Sequence, residues 1–342
     1  MRRTVSASID KLKIRMRISV ALRAYSRANF TSPTALRQLA GLVAERDITG
    51  MDAPNPSAVP GLATRAPMHI AAVGLRVRDL TRLVHFYREA IGLELLSDDG
   101  RRAVLGAGDT GFLHLEHAPD AMPDDPHSAG LYHTAFLMPT RADLARWLEH
   151  AANRNIGLTG ASDHSVSEAL YLNDAEGNGI EVYGDRPAES WRWNHNQVDM
   201  LTKRLDLDDL LRDAVPANRS GTAPEGLRIG HVHLRVSDLA AAEKFWSDVI
   251  GLDITRRAQG ALFMSSGSYH HHIACNVWQS QGACKRDPGR AGLSWIALDA
   301  TEAAIAALKT RMRQIGAPIK PGADHVETAD PWGTTVRVRG PS

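Results

Sequence analysis

One stretch of this chain is written twice, and that repetition limits the fold more than any other feature. Val73 to Leu95 (VGLRVRDLTRLVHFYREAIGLEL) aligns without a gap on Val232 to Ile254 (VHLRVSDLAAAEKFWSDVIGLDI), at an offset of 159 residues with ten of twenty-three positions identical. Self-similarity on this scale means a duplicated structural unit. Each copy opens with an apolar residue at every second place, which is a strand with one face packed. Asp79 or Asp238 follows where a helix N-cap belongs, an apolar period of three to four comes next, and Gly92 or Gly251 closes the helix. Phe86, Tyr87, Phe245 and Trp246 stand at helical spacing and belong to the core.

A weaker pair of copies lies between and after these. The run from Gly130 (GLYHTAFLMPTRADLARWLEHA) matches the run from Gly292 (GLSWIALDATEAAIAALKTRM), and DAEG at 174–177 matches DPWG at 330–333 before a last strand. The body is therefore α+β, four βαβββ modules beginning near 70, 131, 229 and 292. The expected organisation is an N-terminal extension over 1–67, a first two-module region over 68–184, a connecting segment over 185–226 and a second two-module region over 227–342. The connection carries Trp191, Trp193, the helical run LDLDDLL and a Pro/Ser/Gly-rich end. Four such modules in two pairs resemble the vicinal oxygen chelate superfamily (the glyoxalase/bleomycin resistance/extradiol dioxygenase fold). That resemblance implies two cup-like half-barrels, the paired units of a cup curling around one metal.

Charge and cysteine content narrow the function. Residues 1–50 hold ten Arg and Lys against three acids, so within a formal total of +1 the remainder is −6. A mildly acidic body has no electrostatic footprint for nucleic acid. The basic, Ser- and Ala-rich start followed by a Pro/Ala/Gly stretch reads as an extension separate from the fold, with transit-peptide-like chemistry, or as the product of a start codon upstream of Met51 or Met68. No apolar run is long enough to cross a bilayer. Only Cys275 and Cys284 occur, which excludes a disulfide framework or zinc ribbon and makes a reducing cytoplasm the simplest compartment.

Strand parity then selects what lines the cups. In the third module Val232, Leu234 and Val236 pack outward, so His231, His233 and Arg235 face in. In the second, Thr134, Phe136 and Met138 pack and His133 faces in. His133 and His231 hold the same slot of their repeats, three residues before Phe136 and Leu234. In the last strand of the second module Glu181 has the parity opposite to Ile180 and Val182. His133, His231 and Glu181 thus form a set of two imidazoles and one carboxylate, which suits Fe(II) and leaves coordination positions free. His233 is the alternate ligand if the register shifts by two. The fourth module has Trp295 and Arg337 in these slots and the first has Ala72, so one site per chain is expected, shared by modules two and three.

The run from His164 through Leu170, Tyr171, Asp174 and Gly177 to Glu181 resembles the signature of extradiol ring-cleavage dioxygenases, departing from it at Ser162 and Ala175. With YHHH at 269–272, the chain is similar to catechol 2,3-dioxygenases. The resemblance implies an Fe(II) enzyme of aromatic catabolism that takes an aromatic diol and O2, with His133, His231 and Glu181 holding the iron. It implies an acid/base histidine just before the fourth strand of the third module. Counting back from Ala274 selects His271, with His270 and His272 close enough to replace it. It also implies that Tyr171 donates a hydrogen bond to a substrate oxygen and that His164 contacts substrate. The alternatives are another metal chemistry on the same cup, of glyoxalase or thiol transferase type, and a binding protein without catalysis. Neither nucleic acid nor membrane is an expected partner, and the ring substituent and any assembly of identical chains stay open.

Overall fold

The computed structural model describes residues 61–214, 221–316, 320–321 and 325–340. Residues 1–60, most of the expected extension, lie outside the described residues. The end of that stretch is part of the fold: Leu62–Arg65 form a helical turn, Ala63 is buried, and its carbonyl accepts a bond from His272 Nε2 at 2.8 Å. The folded body thus starts before residue 68.

Each repeat builds the same module. The first comprises β1 (Met68–Val77), the helix Leu80–Phe86, and strands β2 (Glu94–Asp98), β3 (Arg102–Ala107) and β4 (Thr110–His117). The second comprises β5 (Gly130–Leu137), the helix Arg141–Asn153, and β6 (Gly160–Asp163), β7 (Ser167–Asn173) and β8 (Gly179–Asp185). The connecting segment forms a small hairpin of β9 (Trp193–Asn194) and β10 (Gln197–Val198), then β11 (Lys203–Arg204) and the helix Leu207–Arg212. The third module is β12 (Arg228–Arg235), the helix Leu239–Glu243, β13 (Asp253–Ala258), β14 (Ala261–Ser265) and β15 (Ile273–Asn276). The fourth is β16 (Gly292–Ala300), the helix Glu302–Gln314, β17 (Lys320–Pro321), β18 (His325–Ala329) and β19 (Thr335–Arg339).

The repeat signals act as local chemistry requires. Asp79 and Asp238 accept from the backbone N–H of Arg82 and Ala241, satisfying donors that a helix start leaves bare. Thr140 and Thr301 do the same for Asp143 and Ala304. Gly92 and Gly251 sit at φ 86° and 96°, where a side chain would be strained, and end helices whose last turn is π-type over Tyr87–Ile91 and Lys244–Ile250. Tyr87, Phe245 and Trp246 are buried as expected, and Phe86 is half-buried.

Two curled sheets result, and each takes its halves from distant parts of the chain. Within a module the first strand pairs in parallel with the last; between modules the two first strands pair antiparallel. The outer sheet has the order β17-β18-β19-β16-β1-β4-β3-β2 and so joins modules one and four. The middle sheet has the order β11-β6-β7-β8-β5-β12-β15-β14-β13 and joins modules two and three. Both seams carry two bulges at matching places. Gly230 and Tyr132 are the extra residues in the middle seam, and Ala71 and Ser294 in the outer one.

Candidate metal centre

The middle seam collects the histidines. His231 lies opposite Ala135 across β12 and β5, and Glu181 lies beside Ala135 on β8, so Glu181, Ala135 and His231 form one row over three strands. In-register neighbours share a face of a sheet. The single methyl group of Ala135 lets the long side chains on either side lean together above it. His133, two residues along β5, completes the group. Glu181 Oε2 is 2.9 Å from His133 Nε2 and 3.3 Å from His231 Nε2. Three ligand atoms, one from each residue, all lie within 4.8 Å of one another, and all three residues are buried; no other such group occurs among the described residues.

This arrangement fits one divalent cation. Although His133 Nε2 is close to Glu181, it lacks the alignment of a hydrogen bond and has no other partner. Buried polar atoms left this way are costly unless something else binds them. Burial alone would raise the Glu181 carboxyl, but the neighbouring His231 and His133 rings hold it well below the usual carboxylate range. Burial brings His231 down to about 4, against the opposing pull of Glu181. At neutral pH the carboxylate is ionised and the His231 imidazole neutral, the states in which each can ligate.

The two histidines left as alternatives separate. His231 is the one beside Glu181, whereas His233 Nε2 meets the Asn276 amide at 3.0 Å. Burial and then the surrounding imidazoles push His233 well below the ordinary histidine range, so it stays neutral. The three histidines of 270–272 also take distinct positions. His272 points away from the cup, its Nε2 donating to Ala63 and its Nδ1 meeting the Ser265 hydroxyl at 2.9 Å. His271 has its ring 4.1 Å from that of His231 and leans on Phe263. His270 lies behind it, fully buried, with Nε2 2.8 Å from Asp185. Burial, followed by the neighbouring imidazoles, holds His271 well below 6.5 and therefore neutral.

Tyr171 and His164 come together on the other side. Tyr171 is in register with Glu181, and its hydroxyl is 2.8 Å from His164 Nε2. His164 Nδ1 lies 3.2 Å from the Leu201 carbonyl, which can only accept, so Nδ1 carries a proton and donates there. Burial and then the Glu181 charge raise Tyr171 well above 10, keeping it a phenol.

Four positions of this site carried no sequence signal. Asp185 and Leu201 act through tertiary contacts. Tyr132 has the wrong parity for a cup residue on a regular strand, but the bulge puts it beside His133, its ring 5.4 Å from His133 and 4.8 Å from His233. Trp278 stands 5.4 Å from Tyr132 and is clamped against Gly260, where a β-carbon would come within 3.0 Å of the indole. Both rings are large and solvent-facing, at 37% and 53% exposure, and they make an aromatic rim on the cup.

Comparison with known proteins agrees with this architecture. Residues 69–182 and 228–338 match the sequence model of the Glyoxalase/Bleomycin resistance protein/Dioxygenase superfamily. The chain is 41% identical over 232 residues to a catechol-2,3-dioxygenase of Bacillus subtilis (strain 168), covering 66% of this chain and 81% of that protein. It is 35% identical over 69 residues to biphenyl-2,3-diol 1,2-dioxygenase 2 of Rhodococcus globerulus, 20% of this chain and 36% of that one. Among solved structures, glyoxalase I from Zea mays superposes with a TM-score of 0.51 at 16% identity, over 81% of this chain and 94% of that one, and so shares the fold. The matched repeats span both halves of the body, and the chain belongs to the Glyoxalase/Bleomycin resistance protein/Dioxygenase superfamily.

Proposed function

We propose that this protein is an Fe(II)-dependent extradiol dioxygenase, which opens a catechol ring beside its diol with O2 to give a hydroxymuconic semialdehyde-type product. The observation that carries the reading is the convergence of two imidazoles and one carboxylate on a single point of the middle sheet. His133, His231 and Glu181 would hold the iron. Iron so held would supply open coordination positions for the catechol oxygens and for O2. Kinship with a catechol-2,3-dioxygenase supports the same chemistry over glyoxalase or thiol transfer.

The chain's own side chains do the rest. A catechol loses a proton on binding, and the oxygenated ring must regain one. A neutral imidazole at His271 can accept and return that proton at a ring nitrogen. Tyr171, held as a phenol by burial, and His164, oriented by Leu201, line the opposite side, where they position a diol oxygen. Tyr132 and Trp278 offer ring faces to the substituted edge of the substrate and exclude water from it. The buried Cys275 and exposed Cys284 are both free thiols, which suits a reducing cytoplasm.

The test is an aerobic absorbance scan of the protein, loaded anaerobically with Fe(II), after mixing with catechol and alkyl, aryl and chloro catechols. A yellow product with matching O2 uptake is expected. No O2 uptake with any of them overturns the reading.

A further inference from the structure

His271 sits at the end of a chain of hydrogen bonds whose order can be read from one end to the other. Asp185, at the last residue of β8, accepts from the Tyr269 hydroxyl at 3.2 Å and lies 2.8 Å from His270 Nε2. His270 Nδ1 is in turn 2.8 Å from His271 Nδ1. The Tyr269 hydroxyl is shared with that of Tyr183 at 2.7 Å. His270 is wedged among the rings of Tyr269 at 4.1 Å, Trp191 at 5.1 Å and Tyr183 at 6.2 Å, so its plane is fixed by packing as well as by bonding.

A carboxylate can only accept, so His270 carries a proton at Nε2. The 2.8 Å bond between the two Nδ1 atoms holds one proton, and with the buried His270 as its acceptor that proton belongs to His271. In that order His271 Nε2 carries no proton, and the hydrogen bond seen for His271 among the described residues is the one at Nδ1. We propose that Asp185 and His270 are positioning residues that fix the tautomer of His271, keeping its Nε2 free to receive a proton from substrate. The inference rests on the extradiol reading, in which His271 is the acid/base. The polarity of the chain comes from Asp185: an amide in its place could donate as well as accept, and the ring order behind it would no longer be unique.

The experiment has two readouts. In kinetics with catechol, Asp185→Asn should lower kcat by about 10–100-fold, the range that loss of an orienting partner costs a neighbouring ring, with KM and bound iron nearly unchanged. Asp185→Glu should restore part of kcat, and Tyr269→Phe, which removes a donor to Asp185 without altering its polarity, should keep most of it. In long-range ¹H–¹⁵N spectra of the chain loaded with diamagnetic Zn(II), with His270→Gln and His271→Gln used for assignment, wild-type His271 should show a protonated Nδ1 and a bare Nε2. Asp185→Asn should shift that balance. A proton found on His271 Nε2, an unchanged kcat in Asp185→Asn, or an equal loss in Tyr269→Phe overturns the proposal. If the iron-loaded wild type opens no catechol, the extradiol reading fails, while the tautomer spectra still test the bond order by themselves.

Discussion

The middle and outer sheets are nearly the same backbone carrying different side chains. The slots of His133, His231 and Glu181 are filled in the outer sheet by Trp295, Ala72 and Arg337, and that of His233 by Gly74. There the indole of Trp295 lies across Gly74, at which a β-carbon would stand only 2.2 Å away. Its Nε1 donates to Glu116 at 3.0 Å, and the Arg337 guanidinium covers the ring at 4.5 Å. The outer cup is closed by a tryptophan bonded to Glu116 and covered by Arg337, whereas the middle cup holds buried nitrogens without hydrogen-bond partners. A duplicated fold thus acquires or loses a site through three or four side chains, without a change of topology.

That contrast can be broken most severely at the ligands. Glu181→Ala or His133→Ala should abolish ring cleavage and lower metal affinity by more than the ~10–100-fold typical of losing an outer partner. Trp295→Phe in the matching outer slot should leave both unchanged. Oxygen uptake and metal analysis of each variant decide it, and full activity in Glu181→Ala refutes the ligand assignment. The reverse experiment sharpens the comparison: Ala72→His, Trp295→His and Arg337→Glu together should create a second site, read as a doubling of Co(II) bound per chain by absorption titration.

Smaller effects follow from the places where one sheet has a device that the other lacks. Gly230 and Ala71 are equivalent bulge residues, but a β-carbon at Gly230 would fall 1.9 Å from the Tyr183 hydroxyl. Gly230→Ala should therefore destabilise by ~1–3 kcal/mol through overpacking, measured by urea unfolding, while Ala71→Gly should cost about 1 kcal/mol or less.

His272 holds the place that Phe112 has in the outer sheet, and burial pushes it down to about 3. Below its ordinary value of 6.5 the unfolded chain takes up a proton that the folded chain refuses. Its contribution is therefore lost as pH falls from 6.5 toward 3 and is flat above. By pH 5 the loss should be about 2 kcal/mol, and His272→Phe should flatten that part of the profile of unfolding free energy against pH.

The smallest effect is expected at the rim. Trp278→Ala should weaken binding of 3-phenylcatechol up to about tenfold, the worth of an aromatic contact, and that of catechol much less. Anaerobic titration calorimetry compares the two.

The sequence displayed some of this plainly. Asp79, Asp238, Gly92 and Gly251 announce their helix ends because caps depend on neighbours only a few residues away. His133, His231 and Glu181 are visible because a strand alternates faces and because repeat slots can be compared within one chain. Tyr132 is not visible in that way. A bulge adds one residue to a strand and reverses the parity that follows, and only the partner strand reveals where it falls. Asp185 reaches His270 across 85 residues, and Leu201 reaches His164 across 37, with no spacing to mark either bond. Residues 61–67 have the composition of a linker, yet the buried His272 needs the Ala63 carbonyl.

By itself the amino-acid sequence determined the module, its fourfold copying and the residue types at the candidate ligand positions, because these depend on local periodicity and on resemblance between copies. Only the tertiary structure decided that His231 rather than His233 leans over Ala135 toward Glu181, that His271 rather than its neighbours adjoins His231, and that Asp185 closes the chain behind it. The physical reason is that side-chain packing and hydrogen-bond direction are set by neighbours in space, and in a sheet assembled from distant modules those neighbours are separated by scores of residues.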